Sequence, residues 1–217
     1  MTNELLEIEN VPFLKVKHGK EEILFYPDLV DVRELQERGL KKPTLSELVS
    51  LMYAGFSSSK NNDYVKNLKY YLFSESTSLF SSTYCYTHLP CSGGIIFDNL
   101  QSDKEGNPLI DYKRLLTYDL FYETGVVRVF KDPPQYKENQ KKFAKLLIGE
   151  EGFSKLEDKS FFENGWSIDI YNYNNRKFED KEIVLCASLM YSKAKKALIW
   201  LEDCPVNGQT FGIYKIK

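Results

Sequence analysis

The last third of the chain constrains the fold most. From Trp166 to Lys217 three short apolar runs, Ile183 to Met190, Ala197 to Leu201 and Thr210 to Ile216, are separated by polar stretches that no core could absorb. Short apolar runs bounded by turn-forming residues predict strands. Around them stand Tyr171, Tyr173, Asn174 and Asn175, then Tyr191 and Ser192, then Glu202, Asp203 and Asn207. Tyr gives large rigid contact area at low entropy cost, and Asn and Ser supply adaptable hydrogen bonds, so this palette suits recognition. The expectation is a recognition surface carried on a stiff sheet.

The upstream elements are legible from local signals. Phe13 to His18, Gly19-Lys20 and Glu21 to Tyr26 alternate as a hairpin does. Pro27 and Asp28 open an expected short helix over Leu29 to Arg38, with Gly39 as its stop. Thr44 with Glu47 forms a capping box ahead of Leu48, Val49 and Met52, the strongest helix start in the chain. Asp63 to Leu72 predicts a further helix carrying Val65, Leu68 and Leu72 inward. Leu79 to Tyr86 and Gly93 to Asp98 read as a second hairpin, Ile110 to Tyr118 as a helix, and Val126 to Phe130 as a strand. Gln135 to Ile148, stopped by Gly149, predicts a lysine-rich helix with Phe143, Leu146 and Leu147 toward the core, and Phe153 to Phe162 adds another turn or two. Strands and helices mix without regular alternation, which predicts an α+β fold with mostly antiparallel short strands and packed helices.

At 217 residues the chain can bury one ample core. Residues 1–39 are expected to be an N-terminal hairpin and helix packing on a main domain of residues 40–217. Fifteen Tyr cannot all be buried comfortably, because each buried hydroxyl needs a partner, so several belong at the surface. The net charge of −2 lacks the single-sign excess that phosphate backbones and anionic membranes attract, so neither nucleic acid nor membrane is the expected partner. No apolar run approaches the roughly 18 residues of a membrane helix, and the first residues do not resemble a signal peptide. Cys85, Cys91, Cys186 and Cys204 are too few for a disulfide scaffold and read as reduced thiols.

Chemistry-bearing motifs are sparse. Cys85, His88 and Cys91 are spaced as zinc ligands can be, with Cys186 or Cys204 needed as a fourth, so a zinc-binding domain or metal-dependent enzyme centred on them is the alternative reading. With only His18 and His88 available, an activated nucleophile has few ways to be assembled. No glycine-rich phosphate loop is present, and Lys137, Lys141, Lys142 and Lys145 read as a solvated helix face. No catalytic residue, cofactor or metal is therefore assigned. A viral or intracellular structural protein whose loops mediate assembly is a further alternative.

Several motifs carry a resemblance. Pro43-Thr44-Leu45-Ser46-Glu47-Leu48, Ser81-Ser82-Thr83, Gly93-Gly94-Ile95-Ile96-Phe97-Asp98, Leu147 to Gly152, Asn164-Gly165-Trp166-Ser167 and Gln209 to Tyr214 resemble, in that order, C-type-lectin-fold domains related to the formylglycine-generating enzymes. Over residues 40–217 the chain is similar to archaeal members of that class, which include the variable proteins of diversity-generating retroelements. The resemblance implies a C-type-lectin-like fold without enzymatic activity, whose C-terminal region, about residues 164–217, displays diversified side chains to a macromolecular, protein ligand. On it the displayed set is Asp169, Tyr171, Tyr173, Asn174, Asn175, Tyr191, Ser192, Glu202, Asp203 and Asn207, and Gln209 to Tyr214 forms the final core strand. The paired cysteines of the formylglycine-generating enzymes find no match, and the Glu-Pro-Asn of calcium-binding lectins is absent, so neither that catalysis nor calcium is expected. A monomer is expected.

Overall fold

The computed structural model describes residues 5–8, 11–57, 63–73, 77–89, 94–98, 133–171, 181–192, 196–203 and 208–214. Its framework is a ten-stranded sheet built from β1 (Leu5–Ile8), β2 (Val11–His18), β3 (Glu21–Asp31), β4 (Leu40–Lys41), β5 (Leu79–Leu89), β6 (Gly94–Asp98), β7 (Trp166–Tyr171), β8 (Lys181–Ser192), β9 (Lys196–Asp203) and β10 (Gln209–Tyr214). The order is β1-β2-β3-β10-β5-β8-β9-β7, with β4 also on β10 and β6 also on β5. Pairing is antiparallel except where β10 meets β5 and where β7 meets β9. With helices α1 (Leu45–Ser57), α2 (Asp63–Phe73) and α3 (Pro133–Leu156), the class is α+β with a mixed sheet.

Strand alternation sorts the apolar residues onto two faces. Val16, Ile23, Phe25, Leu185, Leu189, Ile199, Leu201, Phe211 and Ile213 join Leu48, Met52, Leu68, Phe143 and Leu147 of the helices in the main core. The intervening positions Phe13, Leu24 and Val30, with Leu35 and Leu40, form a second cluster, and Phe80, Tyr84 and Cys186 a third. The N-terminal hairpin is thus continuous with the rest: β3 pairs with β10 in mid-sheet, and the seam at residue 39 interrupts neither sheet nor core.

Helix α1 starts as its capping box dictates. The Thr44 amide donates to Glu47 Oε2 at 2.6 Å and the Glu47 amide to Thr44 Oγ1 at 3.2 Å. The start is also docked from afar, since the Leu45 amide donates to Thr83 Oγ1 at 2.9 Å and the Ser82 amide to the Pro43 carbonyl at 2.6 Å. Those residues sit in a bulge where Phe80 to Tyr84 of β5 oppose only Ser188 to Cys186 of β8. The Ser81 hydroxyl closes the bulge by donating to the Ala187 carbonyl at 2.6 Å.

Two local expectations are corrected. Residues 29–38 are not a helix: β3 runs on to Asp31, because Leu29 and Val30 pair with Phe211 and Thr210, and only a short 3-10 turn, Val32–Glu34, follows. Pro27 is tolerated within β3 because it falls where Phe25 to Leu29 oppose only Ile213 to Phe211, a bulge that asks no ladder bond of it. Leu146 is 52% exposed, since Phe143, Ala144, Leu147 and Ile148 already fill the buried stripe of α3. Gly149 stops a helix as expected, and the further helix expected beyond it forms, ending at Leu156. The Gly149 φ of 70° and ψ of 170° break the helix at a conformation that glycine adopts without cost. The helix and strand expected at 110–118 and 126–130 lie outside the described residues.

Candidate functional site

The expected recognition residues fall at the ends of β7, β8 and β9, and the register decides which of them meet. Strand β7 runs parallel to β9, so Asp169 lies beside Trp200 and Tyr171 beside Glu202. Strand β8 runs antiparallel to β9, so Cys186 opposes Glu202 and Leu185 opposes Asp203. Asp169, Tyr171, Glu202 and Asp203 therefore gather at one end of β7 and β9, here the far end, beside Leu185 and Cys186 of β8, which runs on to Lys181. The frame beneath them is rigid, because Ile168, Leu185, Leu201 and Ile199 are buried in the main core.

Tyr191 and Ser192 do not join them. They pair with Ala197 and Lys196 at the opposite, near end of the same strands. From Ala197 to Glu202 the chain takes five steps of about 3.3 Å, so the two groups stand about 17 Å apart. Tyr191 also corrects its assignment as a displayed residue. It is only 3% exposed, its ring packs at 4.7 Å from that of Phe56 and 6.0 Å from that of Phe162, and its hydroxyl donates to the Phe161 carbonyl at 3.2 Å. Burial of a Tyr is stable when its hydroxyl finds such a partner, and the loop after α3 supplies one. Tyr173, Asn174, Asn175 and Asn207 lie outside the described residues.

The near end is closed by the segment that precedes β7. Gly165, with a φ of 73°, turns the chain so that its amide donates to Phe162 and its carbonyl accepts from Ala197, at 2.7 and 3.1 Å. Trp166 then sets its ring edge-on to Phe153 of α3, with centroids 5.5 Å apart.

Of the proposed zinc ligands, Cys85 and Cys186 are the two whose side chains are described, and they lie on opposite faces of the sheet. Cys85 lies in the main core, and burial pushes its thiol up to about 12, whereas zinc binds the thiolate. Cys186, one of the two candidate fourth ligands, belongs to the cluster on the opposite face with Phe80 and Tyr84. The His88 side chain, Cys91 and Cys204 lie outside the described residues. Among the described residues no three His, Cys, Asp or Glu side chains gather as a metal site requires.

The richest polar constellation is one that the sequence did not announce. Ser50 Oγ, on α1, lies 2.9 Å from His18 Nδ1, accepts from Lys155 Nζ at 2.8 Å and donates to the Ser46 carbonyl at 3.2 Å. Lys155 also donates to Glu151 Oε1 at 2.9 Å, and the same oxygen accepts from the Gly19 amide at 2.8 Å. The Lys155 hydrogen bond, seconded by that of Gly19, holds the Glu151 carboxyl below its ordinary range. Serine beside lysine and histidine is the raw material of a nucleophile. Here the hydroxyl is spent on three partners and Ser50 is buried, so the cluster ties the β2–β3 turn to α1 and α3. Its sequence traces are only the spacings Ser46/Ser50 and Glu151/Lys155, each one helical turn. A cavity of about 10 Å³ among Leu14, Phe25, Leu51, Leu68 and Phe211 has room for no more than a water molecule.

No family model, curated protein or solved structure matches the chain.

Proposed function

We propose that the chain is a non-enzymatic binding protein that meets a protein ligand through the far end of its C-terminal strands. One observation carries this reading: Tyr171 and Glu202 are register partners on adjacent strands that also carry Asp169 and Asp203, and Ile168 and Leu201 anchor these strands in the core. Tyrosine and carboxylate residues at these strand positions suit contact area, hydrogen bonding and charge, carried on strands anchored by buried core residues. The sequence that continues from these ends contains Tyr173, Asn174, Asn175 and Asn207, the remainder of the expected set. A standard interface removes about 1,600 Å² from water in total, so a patch of this few positions suffices to set specificity. The net charge of −2 favours a protein over a nucleic acid as the ligand.

In its finer form the proposal is a C-type-lectin-like domain of the kind used as variable proteins by diversity-generating retroelements. Support comes from the mostly antiparallel strands with helices packed on one face, and from Gln209 to Tyr214, which resembles that class's final core strand and lies in mid-sheet with Phe211 and Ile213 buried. Sequencing of the gene's neighbourhood and of sister copies tests it. The expected result is a near-identical repeat differing at adenines, beside a reverse-transcriptase gene, with variation at codons 169, 171, 173–175, 202, 203 and 207 and constancy at codon 191. Variation absent from those codons, or scattered over strand interiors, overturns the finer form.

A further inference from the structure

Two buried thiols lie on neighbouring strands, and their surroundings differ. Cys85 faces the main core among aliphatic side chains, where burial alone keeps it protonated. Cys186 faces the other side of the sheet, and Lys42, from the link between β4 and α1, reaches into the same seam. Lys42 Nζ lies 3.9 Å from Cys186 Sγ and donates to Tyr84 Oη at 3.1 Å, with the Tyr84 ring centroid 5.1 Å away. Cys186 Sγ in turn lies 3.4 Å from the Ser81 carbonyl. An ammonium beside a thiol favours the thiolate, which is the form that oxidants attack, and a sulfenic acid condenses with a nearby nitrogen.

We propose that Lys42 and Cys186 are a modification site at which a peroxide drives formation of a reversible sulfur–nitrogen bridge. The Cys186 thiolate attacks one peroxide oxygen, the O–O bond breaks, and sulfur becomes a sulfenic acid while hydrogen peroxide is reduced to hydroxide. That hydroxide takes a proton from the Lys42 ammonium and becomes water. The freed amine attacks the sulfenic sulfur, the S–O bond breaks as the S–N bond forms, and the departing hydroxyl leaves as water with a proton from nitrogen. The sum is one thiol, one amine and one hydrogen peroxide giving one S–N bond and two waters. Cys186 is buried, and half-buried Lys42 is the neighbour that links it toward the surface. The bridge joins residues 144 positions apart, pinning the link before α1 to β8, and closure of so long a loop restrains the unfolded chain.

The test uses the full chain, first reduced, then exposed to hydrogen peroxide and analysed by intact mass and non-reducing peptide mapping. The expected product has lost two hydrogens, contains a peptide linking Lys42 to Cys186, melts at higher temperature than the reduced protein and returns to the starting mass with a dithiol. It forms in Cys85→Ser and is absent in Lys42→Arg and Cys186→Ser. A disulfide to Cys91 or Cys204, oxidation of Cys186 that stops at a sulfur acid, or oxidation at Cys85 first each overturns the proposal. The wild-type mass map decides this even should a variant fail to fold.

Discussion

The two ends of β8 and β9 carry similar residues and do opposite things. At the near end Tyr191 is sealed between Phe56 of α1 and Phe162 of the loop after α3, with its hydroxyl satisfied by the Phe161 carbonyl. At the far end Tyr171 stands on β7 beside Glu202, ahead of polar sequence. By composition both tyrosines fit a recognition palette. Which of them packs depends on which end of the strand a helix and its following loop cover, and residue type carries no trace of that.

The contrast can be broken most forcefully at Tyr191. Replacement by Ala removes an aromatic ring from a closed cluster and leaves the Phe161 carbonyl without its donor, so Tyr191→Ala should destabilise by about 3–5 kcal/mol in denaturant unfolding. A loss below about 1 kcal/mol would place Tyr191 back among residues that folding can spare.

A smaller effect sharpens the comparison by loosening the helix layer that closes the near end. The Glu151 carboxyl titrates below its ordinary value because Lys155 and the Gly19 amide hydrogen-bond the charged form. A depressed folded-state value stabilises above the unfolded value of about 4.3, and that contribution fades as pH falls through the lowered one. Unfolding stability of the wild type should therefore drop below about pH 4 by up to about 1 kcal/mol more than that of Glu151→Gln, a modest figure because the carboxylate is 49% exposed. Parallel pH profiles would remove Glu151 from the latch.

The smallest effect is expected at the far end. Tyr171, Glu202 and Asp203 replaced together by Ala should shift stability by no more than about 0.5 kcal/mol per site, read from the melting curve. A cooperative loss matching that of Tyr191→Ala would merge the two ends into one structural core and remove the basis for a recognition surface.

Much of the framework was legible where the signal is local. The capping box at Thr44 and Glu47 starts α1, the turn at Gly19-Lys20 joins β2 to β3, Gly149 ends a helical run, and the three C-terminal apolar segments are strands, β8 and β9 reaching a residue or two beyond their apolar runs at each end and β10 described from Gln209 to Tyr214. The expected helix at 29–38 failed because a distant strand, β10, claims Leu29 and Val30 as ladder partners. The parallel pairing of β7 with β9 left no local mark either. Of the recognition set, the sequence found the strand ends but joined positions that lie about 17 Å apart.

By itself, then, the sequence determined periodicity, caps and turns, because these depend on neighbours within a few residues. Only the tertiary structure decided that Tyr191 is core, that Tyr171 and Glu202 are neighbours, that Ser50 gathers His18 and Lys155, and that Lys42 meets Cys186. Each of these is a contact between segments far apart in the chain, set by strand order and by which face the helices cover. Residue type at one position holds no record of either.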